Sequence, residues 1–256
     1  MEPNLLPLSA DAQLALLQQK NVELQELEQL KNTFISTASH QLRTPLTALK
    51  WILSSLESDP ELKKMQSKQL LVKQASISVE RIIDLVNDLL NASRIHNGHL
   101  PYRPQQTDIA QLISACAATL QETMASKNIH FNLTIEPNIP IVDLDPLLIK
   151  EALHNLLNNA IDYTLAGGTI SLVVNQSNEE VLVEVTDTGI GISADEQEKI
   201  FLPFFRGAEA IQTHPDGSGL GLYLTQAIIK EHHGSIEVSS QLGVQTTVKM
   251  SLPISQ

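Results

Sequence analysis

The stretch TISLVVNQSNEEVLVEVTDTGIGI, Thr169–Ile192, decides the fold. Apolar residues alternate through "TISLVVNQ" and again through "VLVEVTDTG", the period of strands with one buried face. The polar "SNEE" between them is short enough to make a hairpin. The pair ends in "DTGIGI", Asp187–Ile192, whose two glycines let a backbone turn tightly and approach a ligand closely. A single GxG is weak evidence, because a simple strand-end turn has the same composition.

Outward from this hairpin, helices and strands mix. Asp108 to Ser126 and Asp145 to Thr164 have helical patterns, and "IHFNLTI" between them has the pattern of a strand. A helix from Leu220 to His232 precedes two further strands, "SIEVSSQ" and "TTVKMSLP". Hairpin connections among helices predict an α/β sandwich with a mixed sheet rather than a doubly wound parallel one. The region before Pro104 differs. Two long helical patterns there are separated by "ESDPELKKM", where Ser58 or Asp59 can cap a helix and Pro60 suits its first turn. The second repeats Ile82, Val86, Leu89 and Ser93 by four, three and four, and stops near Gly98 and Pro101. A helical hairpin with two apolar faces buries poorly alone but well against a copy of itself, so a homodimeric four-helix bundle is expected. Leu17, Leu24, Leu27 and Phe34 add a coiled-coil seam ahead of it. Residues 1–30 therefore read as a linker helix, 31–98 as the dimerising hairpin and 103–256 as the α/β domain.

The totals narrow the function. Among 256 residues, 42% are hydrophobic and 18% charged, enough apolar content for a packed core. A formal net charge of −12 argues against broad nucleic-acid binding, which needs clustered Lys and Arg. The one cysteine, Cys116, permits no internal disulfide and no cysteine zinc site, and fits an intracellular setting. No apolar run approaches the ~20 residues of a membrane span, and the N-terminus lacks a basic n-region and a clear cleavage site. The chain is expected to be cytoplasmic, with any membrane link made through a segment of a longer parent protein.

"DGSGLGL", Asp216–Leu222, runs directly into a helix, whose free N–H groups favour phosphate oxygens. It lacks the Gly-Lys-Ser/Thr ending of a P-loop and the parallel βαβ setting of a dinucleotide fingerprint. In "EALHNLLNNAIDYT", Asn155 and Asn159 share one helix face and can offer amide oxygens to a hard cation such as Mg²⁺. Taken alone, such a pair is more often solvated.

"HNLLNNAIDYT", "DTGIGI", "FLPFFR" and "DGSGLGL" resemble, in order and spacing, the N, G1, F and G2 boxes of sensor histidine kinases of two-component systems. "SHQLRTPLTALK" is similar to that family's H box, and the likeness runs from about residue 31 to 252. It implies a phosphoacceptor and dimerisation domain joined to a Bergerat-type ATPase domain. By the resemblance, Asp187 accepts a hydrogen bond from the adenine amino group, and Gly189 and Gly191 make room for the nucleotide. Asn159, with Asn155, holds Mg²⁺ on the phosphates of ATP, and Tyr163 lies nearby. Residues 207–216 form a lid, packed by Phe201, Phe204 and Phe205. Gly217, Gly219 and Gly221 hinge it, with Leu220 in the same binding loop. Arg206 is a candidate to neutralise phosphate.

His40 would be the phosphoryl acceptor. At about 100° per residue, Leu49 lies about 180° from His40, and Leu42, Leu46, Leu49 and Leu53 mark the buried side. His40 then faces solvent, with Thr44 and Thr47 on its own face. A lone surface histidine is usually just solvated; an ATP domain in the same chain makes it an acceptor. Histidine's ordinary pKa near ~6.5 leaves a neutral nucleophilic nitrogen at cell pH. Pro45 frees the carbonyl of Gln41 and bends the helix beside the site. Arg43 could supply charge, and Thr44 matches the family's phosphatase element. The expected activity is autophosphorylation of His40 and transfer to an aspartate of a response-regulator receiver domain.

The chain departs from the family at three positions. Gln41 stands where an acidic residue is usual, and an amide can orient the imidazole but take up no proton. Asp162 stands where lysine is frequent, which removes a positive charge near the phosphates unless Lys150, Lys199 or Arg206 compensates. Gln245 replaces a common glycine, a change read as structural. The first two motivate the alternative of a degenerate kinase serving as dimeric scaffold or response-regulator phosphatase. An ATPase of the gyrase, chaperone or mismatch-repair type is a further rival, against which the H box and hairpin argue.

Overall fold

The computed structural model describes residues 20, 46–52, 65–96, 100–215 and 217–254. The N-terminal seam residues Leu17, Leu24, Leu27 and Phe34 and the segment from His40 to Pro45 lie outside them. Residues 46–52 are helical (α1), followed by α2 (Met65–His96), β1 (Gln105–Asp108), α3 (Ile109–Ser126), β2 (His130–Ile135) and β3 (Ile141–Leu144). Then come α4 (Pro146–Tyr163), β4 (Thr169–Ser177), β5 (Glu180–Asp187), α5 (Ala208–Thr213), α6 (Gly221–Glu231), β6 (Ser235–Gln241) and β7 (Gln245–Pro253).

The sheet is mixed, as the hairpin pattern predicts. Its order is β2-β4-β5-β7-β6, with β2 parallel to β4 and the other neighbours antiparallel. Register aligns Leu172, Val185, Val248 and Val238 across four strands. Inward residues of β4 and β5 pack on α3, α4 and α6 to form the main core. Along β5, Val181, Val183, Val185 and Asp187 are all buried and in phase, so the period-2 pattern that builds the core also turns a carboxylate inward. The small β1–β3 pair and the helix α5 were not foreseen. β1 and β3 have only four residues each, too short for alternation to be distinctive, and α5 has six.

Side-chain caps set the helix starts. Asp108 accepts from the backbone N–H of Gln111 at 2.9 Å and begins α3. Asp145 does more. Its Oδ1 accepts from the N–H groups of Leu147 and Leu148, with Pro146 in the first turn, and its Oδ2 accepts from Arg103 N at 2.8 Å. Its own N–H donates to Nε2 of His232 at 3.0 Å. That bond makes Nε2 the acceptor, so Nδ1 carries the proton and donates to Ile228 O at 2.8 Å. The Tyr102 ring meets the imidazole edge-on at 4.9 Å. The fully buried His232 thus fastens the end of α6, the start of α4 and the entering chain to one another.

The α2 helix divides its apolar residues between two faces. Val79, Ile83, Val86 and Leu90 form an exposed stripe with the 4-3-4 spacing of a helix seam. This stripe shares Val86 with the expected Ile82, Val86, Leu89, Ser93 row, but Leu89 turns instead toward α6. Roughly 160° around the helix, at about 100° per residue, Asp88, Asn91, Ala92 and Ile95 face the α/β domain. On α1, Leu46 is 53% exposed rather than buried, while Ile52 is buried. The α2 row thus keeps a seam-spaced apolar surface that the described residues leave uncovered.

Burial holds the pKa of His232 below its ordinary 6.5, because the buried ring is kept neutral. Its contribution to stability is therefore complete above pH ~6.5 and is lost as pH falls below it. His232→Gln should lower stability by about 1–3 kcal/mol, through the unsatisfied Asp145 N–H, and flatten the acid limb of stability against pH. Urea unfolding of both proteins between pH 5 and 8 checks this; parallel curves would refute it.

Candidate nucleotide-binding site

A cavity of about 320 Å³ opens between α4, the loop after β5, the segment around α5 and the start of α6. One end is apolar, walled by Val185, Ile190, Ile192, Ile200 and Val248, with the Asp187 carboxylate set among them. Burial pushes Asp187 up to about 6, against the opposing bond that its Oδ1 accepts from Gly189 N at 2.9 Å. The other end is polar, with Asn155 and Asn159 of α4, Ser218 and the beginning of α6. A flat amino-bearing ring at the first end and an anionic tail at the second would match these walls.

The loop after β5 is tied on two sides. Ile190 N donates to Tyr163 O at 3.2 Å, and Gly243 N donates to Ile190 O at 2.7 Å. Ile192 N donates to Ser240 Oγ, while Gln197 bridges the carbonyls of Ile192 and Ser240. The sequence reading gives Gly189 and Gly191 to the nucleotide; the space their missing side chains leave is filled by the protein itself. A Cβ at Gly189 would meet the Tyr163 carbonyl, and one at Gly191 would meet that of Gln241. Gln245 keeps a structural part, its carbonyl accepting from Ser240 Oγ.

The second glycine loop is bound to the FLPFFR segment. Phe204 N donates to Gly219 O at 2.9 Å, with Phe204 at φ +65° and Gly219 at φ +70°. A left-handed phenylalanine is strained, and it persists because this bond and the packing of its ring hold it. Phe205 lines the cavity, whereas Phe204 packs with Ala92, Leu220 and Leu224. Gly217, Gly219 and Gly221 line the cavity, whereas the Leu220 side chain is fully buried against Ala92 and Leu224. Leu220 contributes packing, with only its backbone near the cavity's loop.

Arg206 borders the cavity, but its guanidinium donates to the carbonyls of Ala210, His214 and Pro215 and so caps α5. Glu196 closes the other end of α5, accepting from Ala208 N and Ser193 Oγ. Asp162 is balanced by none of Lys150, Lys199 or Arg206. Lys127, at the end of α3, lies 3.1 Å from it, and His214 is 3.9 Å away. Asn155 Nδ2 donates to Gly221 O at 3.4 Å, a bond that does not engage its amide oxygen. Tyr163 also lines the cavity. His40, Gln41, Arg43 and Thr44 lie outside the described residues, as does Asp216.

Several residues here escaped the sequence reading. Ser218 lies inside the glycine loop Asp216–Leu222, which is its sequence signal. Glu196, Lys127 and Asp88, which also lines the cavity, carry no motif; an acidic or basic residue on a helix ordinarily reads as solvated.

Two family models match the chain. The one described as histidine kinase-, DNA gyrase B-, and HSP90-like ATPase takes residues 144–256, and the His Kinase A (phospho-acceptor) domain takes residues 30–98. The adaptive-response sensory kinase SasA of Synechococcus sp. strain JA-2-3B'a(2-13) is 33% identical over 250 residues, covering 96% of this chain and 66% of the relative. The alginate biosynthesis sensor protein KinB of Pseudomonas aeruginosa is 31% identical, covering 91% of this chain and 38% of the relative. Among solved structures, Acinetobacter baumannii histidine kinase AdeS shares the fold with a TM-score of 0.67 at 23% identity, covering 84% of this chain and 98% of that one. The catalytic domain of histidine kinase ThkA aligns at TM-score 0.54 and 28% identity, over 60% of this chain and 97% of that one. Fold and cavity thus define an ATPase domain of the kinase, gyrase and Hsp90 type. With its phospho-acceptor domain, the chain belongs to the sensor histidine kinase family. It spans 66% and 63% of the length of two SasA relatives and 38% of KinB. Among the described residues no helix is long and apolar enough to cross a membrane.

Gly219→Ala should destabilise the domain by about 2–4 kcal/mol, since a Cβ there meets Phe204 C at 2.8 Å on a backbone at φ +70°. Gly243, at φ +73° with open space around it, supplies the control. Its alanine variant carries the backbone strain alone and should cost about 1–2 kcal/mol. Equal losses in denaturant melts would show that the Phe204 contact contributes nothing.

Proposed function

We propose that this chain is the catalytic core of a sensor histidine kinase, which phosphorylates His40 from ATP·Mg²⁺ and passes the phosphoryl group to an aspartate of a response-regulator receiver domain. The observation that carries the reading is the two-ended cavity: a buried carboxylate in an apolar wall at one end, paired asparagines and a helix N-terminus at the other. Asp187 accepts from the adenine amino group, and the N-terminus of α6 faces the phosphates. The amide oxygens of Asn155 and Asn159 suit Mg²⁺, a hard cation that keeps few protein ligands and would neutralise phosphate charge. Arg206 serves by shaping α5, the lid, rather than by touching phosphate in this conformation.

In the reaction the bond from the γ-phosphorus to the bridging oxygen of ATP breaks and a phosphorus–nitrogen bond to His40 forms, leaving ADP. Gln41 orients the imidazole, and its proton leaves to water. Arg43 and Thr44 stand on the acceptor segment, Arg43 as a phosphate partner and Thr44 as the hydroxyl for orienting water in a phosphatase step. The chain works as a homodimer in the cytoplasm, the exposed α2 stripe closing against its copy. ThkA has been solved in complex with the response regulator TrrA, and that likeness supports a receiver partner here. The pairing of Asp162 with Lys127 weakens the degenerate-kinase reading, because the acid does not stand as an uncompensated charge.

Incubation with γ-labelled ATP and Mg²⁺ should give acid-labile label on the wild type and none on His40→Ala. Unlabelled protein that still binds ATP would favour the scaffold or phosphatase reading. Adenosine, which carries no phosphate, should bind more weakly as pH falls through about 6, where Asp187 takes up its proton and loses the charge that strengthens its bond. Titrations by NMR between pH 5 and 8 test this, and a flat profile would remove Asp187 from that role.

A further inference from the structure

We propose that Asp88 of α2 acts as an internal anion at the phosphate end of the cavity, so that docking of this helix and binding of a nucleotide's phosphate tail exclude one another. The inference rests on the nucleotide reading of the cavity and concerns regulation of that same site.

Asp88 and Ser218 are 130 residues apart in sequence, yet Ser218 Oγ donates to Asp88 Oδ2 at 3.0 Å. The same Ser218 oxygen accepts from Leu220 N at 3.2 Å, directly before α6 begins at Gly221. The carboxylate therefore sits at a helix N-terminus, the place where free N–H groups attract anions. It lines one cavity with Asn155, Asn159 and Gly221, so it shares space with the proposed cation and phosphate site.

The remainder of the face holds Asp88 there. Asn91 Nδ2 donates to Glu151 Oε1 of α4 at 2.8 Å. Ala92, with Leu89 and Ile95 beside it, packs on Leu220, Leu224, Tyr223 and Phe204. These contacts reach both binding helices and the strained Phe204. Burial, with Glu151 and Asp84 adding like charge, pushes Asp88 up to about 6. A polyanionic tail entering beside this carboxylate adds further like charge in a partly desolvated place, which favours undocking of α2. Linkage runs both ways: whatever moves α2 off this face opens the phosphate end, and whatever binds there loosens α2. The exposed stripe of α2 lies on the opposite side, so a partner covering that stripe leaves the latch intact.

The test uses the full chain and Asp88→Asn, which keeps an oxygen for Ser218 but removes the charge. Calorimetric titration should show ATP binding about three- to ten-fold tighter to the variant at low salt, with adenosine affinity unchanged. Hydrogen exchange across residues 84–95 of the wild type should rise with saturating ATP and stay constant with adenosine. Equal ATP affinity in the two proteins, or unchanged protection with ATP bound, overturns the latch and leaves the cavity's assignment standing. Failure of both proteins to bind either ligand overturns the cavity's assignment and the latch together.

Discussion

The structure turns on the environment of Asp145. Its side chain caps α4 and holds the entering chain at Arg103, while its N–H engages His232 at the end of α6. Fixing the start of α4 fixes the phase at which Asn155 and Asn159 emerge along it. Fixing the end of α6 sets the line of that helix, and with it where the Gly221 end meets the cavity. One carboxylate and one neutral imidazole, both buried, thus align the two helices that flank the polar end. Buried polar groups of this kind are stable only when all their bonds are made, and here each bond also carries positional information.

The loops around the cavity follow a different rule. Their glycines serve close packing of backbone on backbone: Gly189 beneath Tyr163, Gly191 beneath Gln241 and Gly219 beneath Phe204. The loop after β5 is held by α4 and the β6–β7 hairpin, so the apolar end is rigid. The region around α5 is held by two side chains, Arg206 at one end and Glu196 at the other. A tightly tied end beside a segment held by two polar fasteners is the division of labour expected of a site that must bind and release. The strained Phe204 joins the two regimes, since its backbone ties to the glycine loop and its ring to α2.

The α2 helix is where the two domains of the chain meet. Its opposite faces do different work, an open apolar stripe on one side and a polar-centred docking face on the other. Because the faces are nearly opposed, rotation of α2 about its axis would disturb both at once. Such a geometry lets an event in the hairpin bias the cavity without a separate relay, through one helix with two contact sets.

The sequence by itself determined the mixed sheet, the spans of α3, α4 and α6, the carboxylate after β5, the asparagine face and the glycine loops, because each is written in local periodicity or in residues with special backbone freedom. "VLVEVTD" alternates all the way to Asp187, so even the burial of that acid was legible in the strand's own phase. Family resemblance supplies the expectation for His40 from a contiguous motif, and that residue lies outside the described ones. Only the tertiary structure decided the rest. The Lys127–Asp162 pair, the turning of Arg206 toward the carbonyls around α5, the His232 fastening and the reach of Asp88 to Ser218 all join residues distant in sequence or depend on side-chain direction. Local pattern fixes which residues share a face of one element. Which foreign element meets that face follows from how whole helices pack, and a charged side chain reads the same on paper whether solvated or docked.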